Sequence, residues 1–418
     1  ILAQAPLGPR RRGAGPRPTP ARRQPCEMLR ALVPTARAAA RSGPGCRGAA
    51  SQVASKGLLE RLREGPVVGD GGQVFLMEKR GYLRAGPWTP EATCEYPEGV
   101  SNMHQEFGHA GCDVHQVFSF YASEDKLANR GNEAAAKHGV AKINEEGCRL
   151  ARRAADAYGG IVAGGISQTP SYLSGASKEA VQAEFHKQCR AFQKGGVDFL
   201  IAEYFEHVTE MEWAIEAAKQ YGVPVAAFMC INKHGDLHGT TAGECAKRMA
   251  GAGADLVGIN CHFDPFVSLE CMDVMKAALE GSGHMRDPDF NLAVQPVAYW
   301  TPECSTPKGK QGFIDLPEFP FALEPRVLTR WEIQRFTRMA WDMGIRYIGG
   351  CCGFEPYHVR AMVEELEPER QGKVGLSSLK HERWGGGLSM HTKPWVRARA
   401  SKQYWSTIQP ASGRIQSP

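Results

Sequence analysis

Eight short apolar runs, alternating with segments of helical spacing, constrain this chain more than any other feature. The runs are Val67–Gly69, Val114–Phe118, Ile161–Ala163, Phe199–Ala202, Val225–Met229, Leu256–Ile259, Leu292–Val294 and Tyr347–Ile348. Between them, apolar residues recur at helical spacing in Lys178–Lys194, Glu210–Gln220, Gly243–Ala250 and Trp331–Asp342. The joints from helix to strand resemble one another: Ala110-Gly-Cys-Asp113, Gly195-Gly-Val-Asp198, Gly253-Ala-Asp255 and Met343-Gly-Ile345. A glycine just past a helix takes the left-handed conformation that ends it. Eight apolar strands alternating with helices predict an α/β chain whose parallel sheet closes into a (β/α)8 TIM barrel. An open doubly wound sheet is the rival. Asp70-Gly71-Gly72 after the first run, however, lacks the spacing of a phosphate-binding glycine fingerprint.

Composition sets the boundaries. The net charge of +5 is misleading, because residues 1–58 hold 11 Lys+Arg and one acid, Glu27. The remainder has 39 basic and 44 acidic residues, a net of −5, which gives no support for nucleic-acid binding. Residues 1–57 are rich in Pro, Gly, Ala and Arg without apolar period, and are expected to be a disordered leader. Because the sequence opens on Ile, we expect a fragment or a translated extension. The Arg- and Ala-rich stretch from Met28 to Arg41 has the composition of a mitochondrial transit peptide, or of a tail with no address. We expect residues 58–370 to form the barrel and 371–418 a C-terminal oligomer-contact arm. No apolar run approaches membrane-spanning length. Thirteen cysteines in no secreted-scaffold spacing point to a reducing compartment, with cytoplasmic location expected.

On a barrel, chemistry gathers at the C-terminal ends of the strands. Those ends carry Asp70 and Gly71, Tyr121, Glu203 and Tyr204, Asn260 and Cys261, and the pair Cys351-Cys352. Adjacent cysteines rarely bridge each other, yet on a loop two thiolates can meet one soft metal ion with a third arriving from another strand. Three sulfurs around zinc leave one tetrahedral position open, as in catalytic sites, and such an ion suits binding a further thiol. The bland alternative for Cys351-Cys352 is a buried structural pair, and Cys230 and Cys245 read as inert thiols. Glu203, in an apolar strand, is either a salt-bridged structural acid or the partner of a substrate ammonium. Trp88, between two prolines, either anchors a loop or forms an aromatic wall for a quaternary ammonium. Asp70-Gly71-Gly72 is either a turn or a place where backbone N–H groups meet a carboxylate.

At these residues the chain resembles the zinc-dependent homocysteine S-methyltransferases. The resemblance runs from about Gly57 to Gly413 and is carried by Gly69–Gly72, Glu78–Tyr82, Gly86–Glu91, Phe120–Leu127, Ala202–His207, Asn260–Pro265, Gly349–His358 and Met390–Arg399. It implies zinc ligands at Cys261, Cys351 and Cys352, and homocysteine binding by Asp70, Gly71 and Glu203. It implies a methyl-donor pocket at Trp88, Tyr121 and Tyr204, with Tyr204 able to take the fourth zinc position when no thiol is bound. Glu203 and Tyr204 are thereby the expected catalytic residues. The implied reaction is methyl transfer from betaine to L-homocysteine, giving dimethylglycine and L-methionine, in a cytosolic homo-oligomer. S-methylmethionine is the alternative donor, and a non-catalytic zinc-binding barrel the alternative class. Departures from the family pattern are the polar Gly281–Phe290, the lengthened Ser305–Gly309, the rim segment Cys230–His234, and an end short of the long helical tail of betaine-using members.

Overall fold

The computed structural model describes residues 56–83, 89–128, 133–307, 311–379 and 383–408. The expected leader (to residue 55), Trp88 and the last ten residues lie outside them. The strands are β1 (Val67–Val68), β2 (Val114–Gln116), β3 (Ile161–Ser167), β4 (Phe199–Phe205), β5 (Val225–Met229), β6 (Leu256–Asn260), β7 (Asn291–Gln295) and β8 (Tyr347–Ile348). They form one parallel sheet in the order β1-β8-β7-β6-β5-β4-β3-β2. The two ends of that order meet through Asp113. Its N–H donates to the Val68 carbonyl at 2.7 Å, and its carboxylate accepts from the Val68 N–H at 2.8 Å. With helices between the strands, this is the expected (β/α)8 barrel.

The aspartates of the joints have a shared use. Asp198 bonds Val162 and Asp255 bonds Val225 in the same two-way manner. Each carboxylate also meets a cation: Arg370 on Asp113, Arg152 on Asp198 and Lys219 on Asp255. A charge at the closed end of the barrel is thus hydrogen-bonded as well as paired, so the stitching does not leave an orphaned acid.

Period-2 alternation sorts each strand. Val67, Val114, Ile161, Ala163, Phe199, Ile201, Ala226, Phe228, Leu256, Ala293 and Tyr347 fill the barrel axis as one apolar cluster, closed below by Leu58 and Leu62 of the helix Leu58–Glu64. The intervening residues, such as Val162, Leu200, Ala202 and Val257, pack outward under the helices. Continuing the inward series by one step leads to Gln116, Glu203, Asn260 and Gln295. The axis therefore changes from apolar to polar at the C-terminal end.

Several strand ends differ from the sequence reading, β3 most of all, which runs on to Ser167 rather than ending at Ala163. β2 stops at Gln116 rather than Phe118. β4 runs on to Phe205, so Glu203 and Tyr204 lie inside the strand, at a register irregularity between Ala202 and Phe205. There the Tyr204 N–H leaves the ladder and donates to the Asn260 side-chain oxygen at 3.0 Å. Gly281–Phe290 lies at the surface, as the end of the helix Pro265–Ser282 and a short 3-10 turn, His284–Arg286. Among the described residues no helix is long and apolar enough to cross a membrane.

Candidate active site

Above the polar layer lies a cleft of about 560 Å³, walled by Gly71–Val74, Gln116, Phe120, Glu203, Tyr204, Cys261, Gln295 and Gly350–Cys352. The structure brings Cys261, Cys351 and Cys352 together. Their sulfurs lie within 4.8 Å of one another, with Cys261 Sγ 3.6 Å from Cys352 Sγ and Cys351 Sγ 4.0 Å from it. Neighbouring loops fix the pair. The Gly350 N–H donates to the Asp70 carbonyl, the Cys351 N–H to Pro296, and the Cys352 carbonyl accepts from Ala298. Gly72 is needed for this approach, because a Cβ there would stand 2.7 Å from the Cys351 carbonyl oxygen. Its N–H is committed to the Phe354 carbonyl at 2.9 Å, which removes it as the carboxylate donor expected from the sequence.

Three thiols this close cannot all ionise without a cation. Burial opposes ionisation of Cys261, but bonding from Cys230, Cys351 and Cys352 outweighs it and holds that thiol well below its usual range. Bonding to Cys261, before any other cause, pushes Cys351 and Cys352 up. A metal ion placed among them would supply the positive charge that lets all three sulfurs ionise.

Glu203 is buried, and its carboxylate accepts from Gln116 Nε2 at 2.5 Å and Asn260 Nδ2 at 3.3 Å. Among the described residues no ion pair is formed with it, so the salt-bridged structural acid is not what the fold builds. Burial, and then the Cys261 sulfur, push its carboxyl up to about 8. Asp70 is buried beside it, accepting from the Gln116 N–H at 2.9 Å and Gln73 Nε2 at 3.1 Å, with burial raising it to about 7. Two buried acids held by neutral amides make a pocket suited to a cation that arrives from outside.

Tyr121, Tyr204, Cys261 and His262 all adopt positive φ, between 53° and 65°. Non-glycine residues pay about 1–2 kcal/mol for this conformation, and such strain clusters where side chains are aimed for a purpose. The Tyr204 ring packs edge-on against Phe120 and His262, at 5.1 and 4.9 Å. Burial and then the Cys261 and Cys230 sulfurs push its hydroxyl well above the usual range. Phe120, rather than its neighbour Tyr121, forms the cleft wall.

Sequence reasoning missed Gln73, Gln116 and Gln295 as lining residues. A signal existed, since Gln116 and Gln295 each close an apolar strand at the chemically active end. Gln295 Oε1 is buried without a hydrogen-bond partner. Cys230, expected to be inert, sits with its Sγ 3.5 Å from Asn260 Oδ1 and against Cys261. Asp264 and His358 serve the scaffold: Asp264 caps the helix Pro265–Ser282, and His358 bonds the Glu355 N–H and the Leu328 carbonyl.

Fold and site together define a (β/α)8 barrel with a thiol cluster at its catalytic rim. The homocysteine S-methyltransferase family model matches residues 67–366, and the chain belongs to that family. It is 59% identical over 364 residues to betaine–homocysteine S-methyltransferase 1 of Bos taurus, covering 87% of this chain and 87% of the relative. It is 51% identical over 360 residues to S-methylmethionine–homocysteine S-methyltransferase BHMT2 of Rattus norvegicus, covering 86% and 94%. The fold is also that of the homocysteine methyltransferase MmuM from Escherichia coli, metallated form, at TM-score 0.53, 21% identity and 71% and 95% coverage.

Proposed function

We propose that this enzyme transfers a methyl group from betaine to L-homocysteine, giving dimethylglycine and L-methionine, at a zinc ion held by Cys261, Cys351 and Cys352. The observation that carries the reading is the sulfur triangle. A tetrahedral zinc with bonds of about 2.3 Å has sulfur–sulfur edges of about 3.8 Å. The contacts of 3.6 and 4.0 Å straddle that value, so the donor set fits the ion. The higher identity to betaine-using relatives, 59% against 51%, favours betaine over S-methylmethionine.

When bound there, zinc supplies a Lewis acid that keeps a substrate thiol ionised at neutral pH. The chain's own residues do the rest. Glu203 meets the homocysteine ammonium while Gln116 and Asn260 hold the carboxylate in place, and Asp70 and Gly71 complete that end. Phe120 and Tyr204, with Trp88, offer π faces to a quaternary ammonium that has no N–H to donate. As the homocysteine sulfur bonds the methyl carbon, the carbon–nitrogen bond breaks and a neutral amine leaves. Charge is lost along this path, so a water-poor cleft favours it.

The segment from 371 onward presents exposed Leu379, Met390 and Trp395, which we read as an arm contacting other copies in a homo-oligomer. The cysteines of the described residues are free of disulfides, in keeping with the cytosol, or with the mitochondrial matrix if the stretch from Met28 acts as an address. The test is methyl transfer to homocysteine with betaine and S-methylmethionine in parallel. Betaine must be the better donor. Turnover with S-methylmethionine alone reassigns the donor, and turnover with neither leaves a non-catalytic barrel.

A further inference from the structure

Glu203 and Tyr204 are neighbours in β4, yet both wall the cleft. Regular alternation forbids this, because successive side chains of a strand point to opposite sides. Up to Glu203 the alternation holds: Phe199 and Ile201 fill the axis, while Leu200 and Ala202 pack outward. Beyond it the sides exchange. Phe205, which alternation would turn inward, packs outward against Phe185 of the helix Lys178–Gly195. The register supplies the cause. Ala202 pairs with Ala227 and Phe205 with Met229, so β4 carries one residue more than β5 over this stretch. Such a β-bulge re-aims a side chain and gives up a ladder hydrogen bond. Here the re-aimed residue is Tyr204, at φ 61°.

The freed N–H of Tyr204 is buried, and without an acceptor it would favour return of the strand to regular pairing. Asn260 provides the acceptor. β5 lies between β4 and β6 in the sheet, so the Asn260 side chain reaches across it. Its Oδ1 accepts from the Tyr204 N–H at 3.0 Å and from the Cys230 thiol at 3.5 Å. Its Nδ2 donates to Glu203 at 3.3 Å, so the two ends of the amide are not interchangeable. Resting on the function proposed above, we infer that Asn260 is a positioning residue for the methyl donor: by holding the β4 bulge open, it keeps the Tyr204 ring in the donor pocket. Asn260 is not itself among the residues that wall the cleft. Its two amide ends thus serve the two substrates, Nδ2 through the Glu203 carboxylate and Oδ1 through the Tyr204 backbone.

The experiment uses zinc-loaded, full-length enzyme in a double-mutant cycle of Asn260→Ala and Tyr204→Ala, with KM for betaine read at saturating homocysteine. Wild-type turnover with betaine is the control that separates failure of the functional reading from failure of this inference. Given that turnover, Asn260→Ala must raise the betaine KM about 10-fold or more in the wild-type background, and less than about 3-fold in the Tyr204→Ala background. Asn260→Asp, which keeps an acceptor oxygen for the Tyr204 N–H, must stay within about 3-fold of wild type. Equal increases in both backgrounds, no increase in either, or failure of Asn260→Asp to restore the constant overturns the inference. Metal analysis of each variant adds a reading independent of turnover, and loss of zinc would place the action of Asn260 at the metal site instead, which also overturns it. The crystal structure of Asn260→Ala must show the Tyr204 ring withdrawn from the cleft, and an unmoved ring contradicts the inference even where Tyr204→Ala turns over too slowly for a KM. Should Asn260→Ala fail to fold, Asn260→Leu, which fills the space without an acceptor, takes its place under the same criteria.

Discussion

Cys261 Sγ lies 3.6 Å from Cys352 Sγ although 91 positions separate the two residues in sequence. Only a closed parallel barrel delivers them to one point. Cys261 follows β6 and Cys352 follows β8, with β7 and the loop after it holding one each: the Gln295 carbonyl, at the end of β7, accepts from the Cys261 N–H, and the Ala298 N–H donates to the Cys352 carbonyl.

Replacing Cys352 with alanine removes one corner of the sulfur triangle. We expect zinc content to fall from about one per chain to near zero, since two thiolates hold the ion far less firmly than three. Metal analysis of the purified variant decides this, and full zinc occupancy in Cys352→Ala would remove the site.

Glu203→Gln keeps the size and hydrogen-bonding reach of the side chain but discards its charge. Zinc should stay, while homocysteine affinity falls by about 10- to 150-fold, the equivalent of a charge-assisted hydrogen bond worth roughly 1.5–3 kcal/mol. Calorimetric titration with homocysteine reads the loss. Unchanged affinity would return Glu203 to a structural role.

Phe120→Ala should raise KM for the methyl donor by about 5- to 30-fold and that for homocysteine much less, because one π face is worth about 1–2 kcal/mol. Trp88→Ala is expected to behave alike. Steady-state kinetics with each substrate varied in turn separates the two constants, and parallel increases would move the donor pocket elsewhere.

His115, in β2, and His104, in the helix Pro97–Ala110, are fully buried with their rings 5.8 Å apart. Burial lowers them to about 3 and about 4, so the folded protein keeps both neutral while the unfolded chain protonates them near 6.5. Their contribution is present above about pH 6.5 and is lost as pH falls towards 4, at about 1.4 kcal/mol per pH unit for each group. His104→Phe should therefore lower the steepness of stability loss between pH 6.5 and 4.5 by about that amount, read from denaturant midpoints. An unchanged slope would show that His104 takes up its proton in the folded state.

Much of this was legible in the chain. The eight apolar runs and their glycine-terminated helices specify the barrel, and the rule that chemistry sits at strand ends locates Cys261, Cys351, Cys352, Glu203 and Asp70. The repeating Asp113, Asp198 and Asp255 were visible, but not their stitching of adjacent strands, which needs the neighbouring backbone. The irregularity in β4 was hidden because the Tyr204 N–H donates to the side-chain oxygen of Asn260, far away in sequence. Gln116 and Gln295 were within reach of the period-2 rule, yet a glutamine ending a strand is as often solvated as catalytic.

The most direct test of the central claim is X-ray absorption at the zinc edge, with and without homocysteine. The sulfur triangle predicts three sulfur neighbours at about 2.3 Å in the resting enzyme and a fourth at the same distance when homocysteine is added. A zinc shell that is already closed by four protein ligands, or one that does not respond to the thiol, would contradict it.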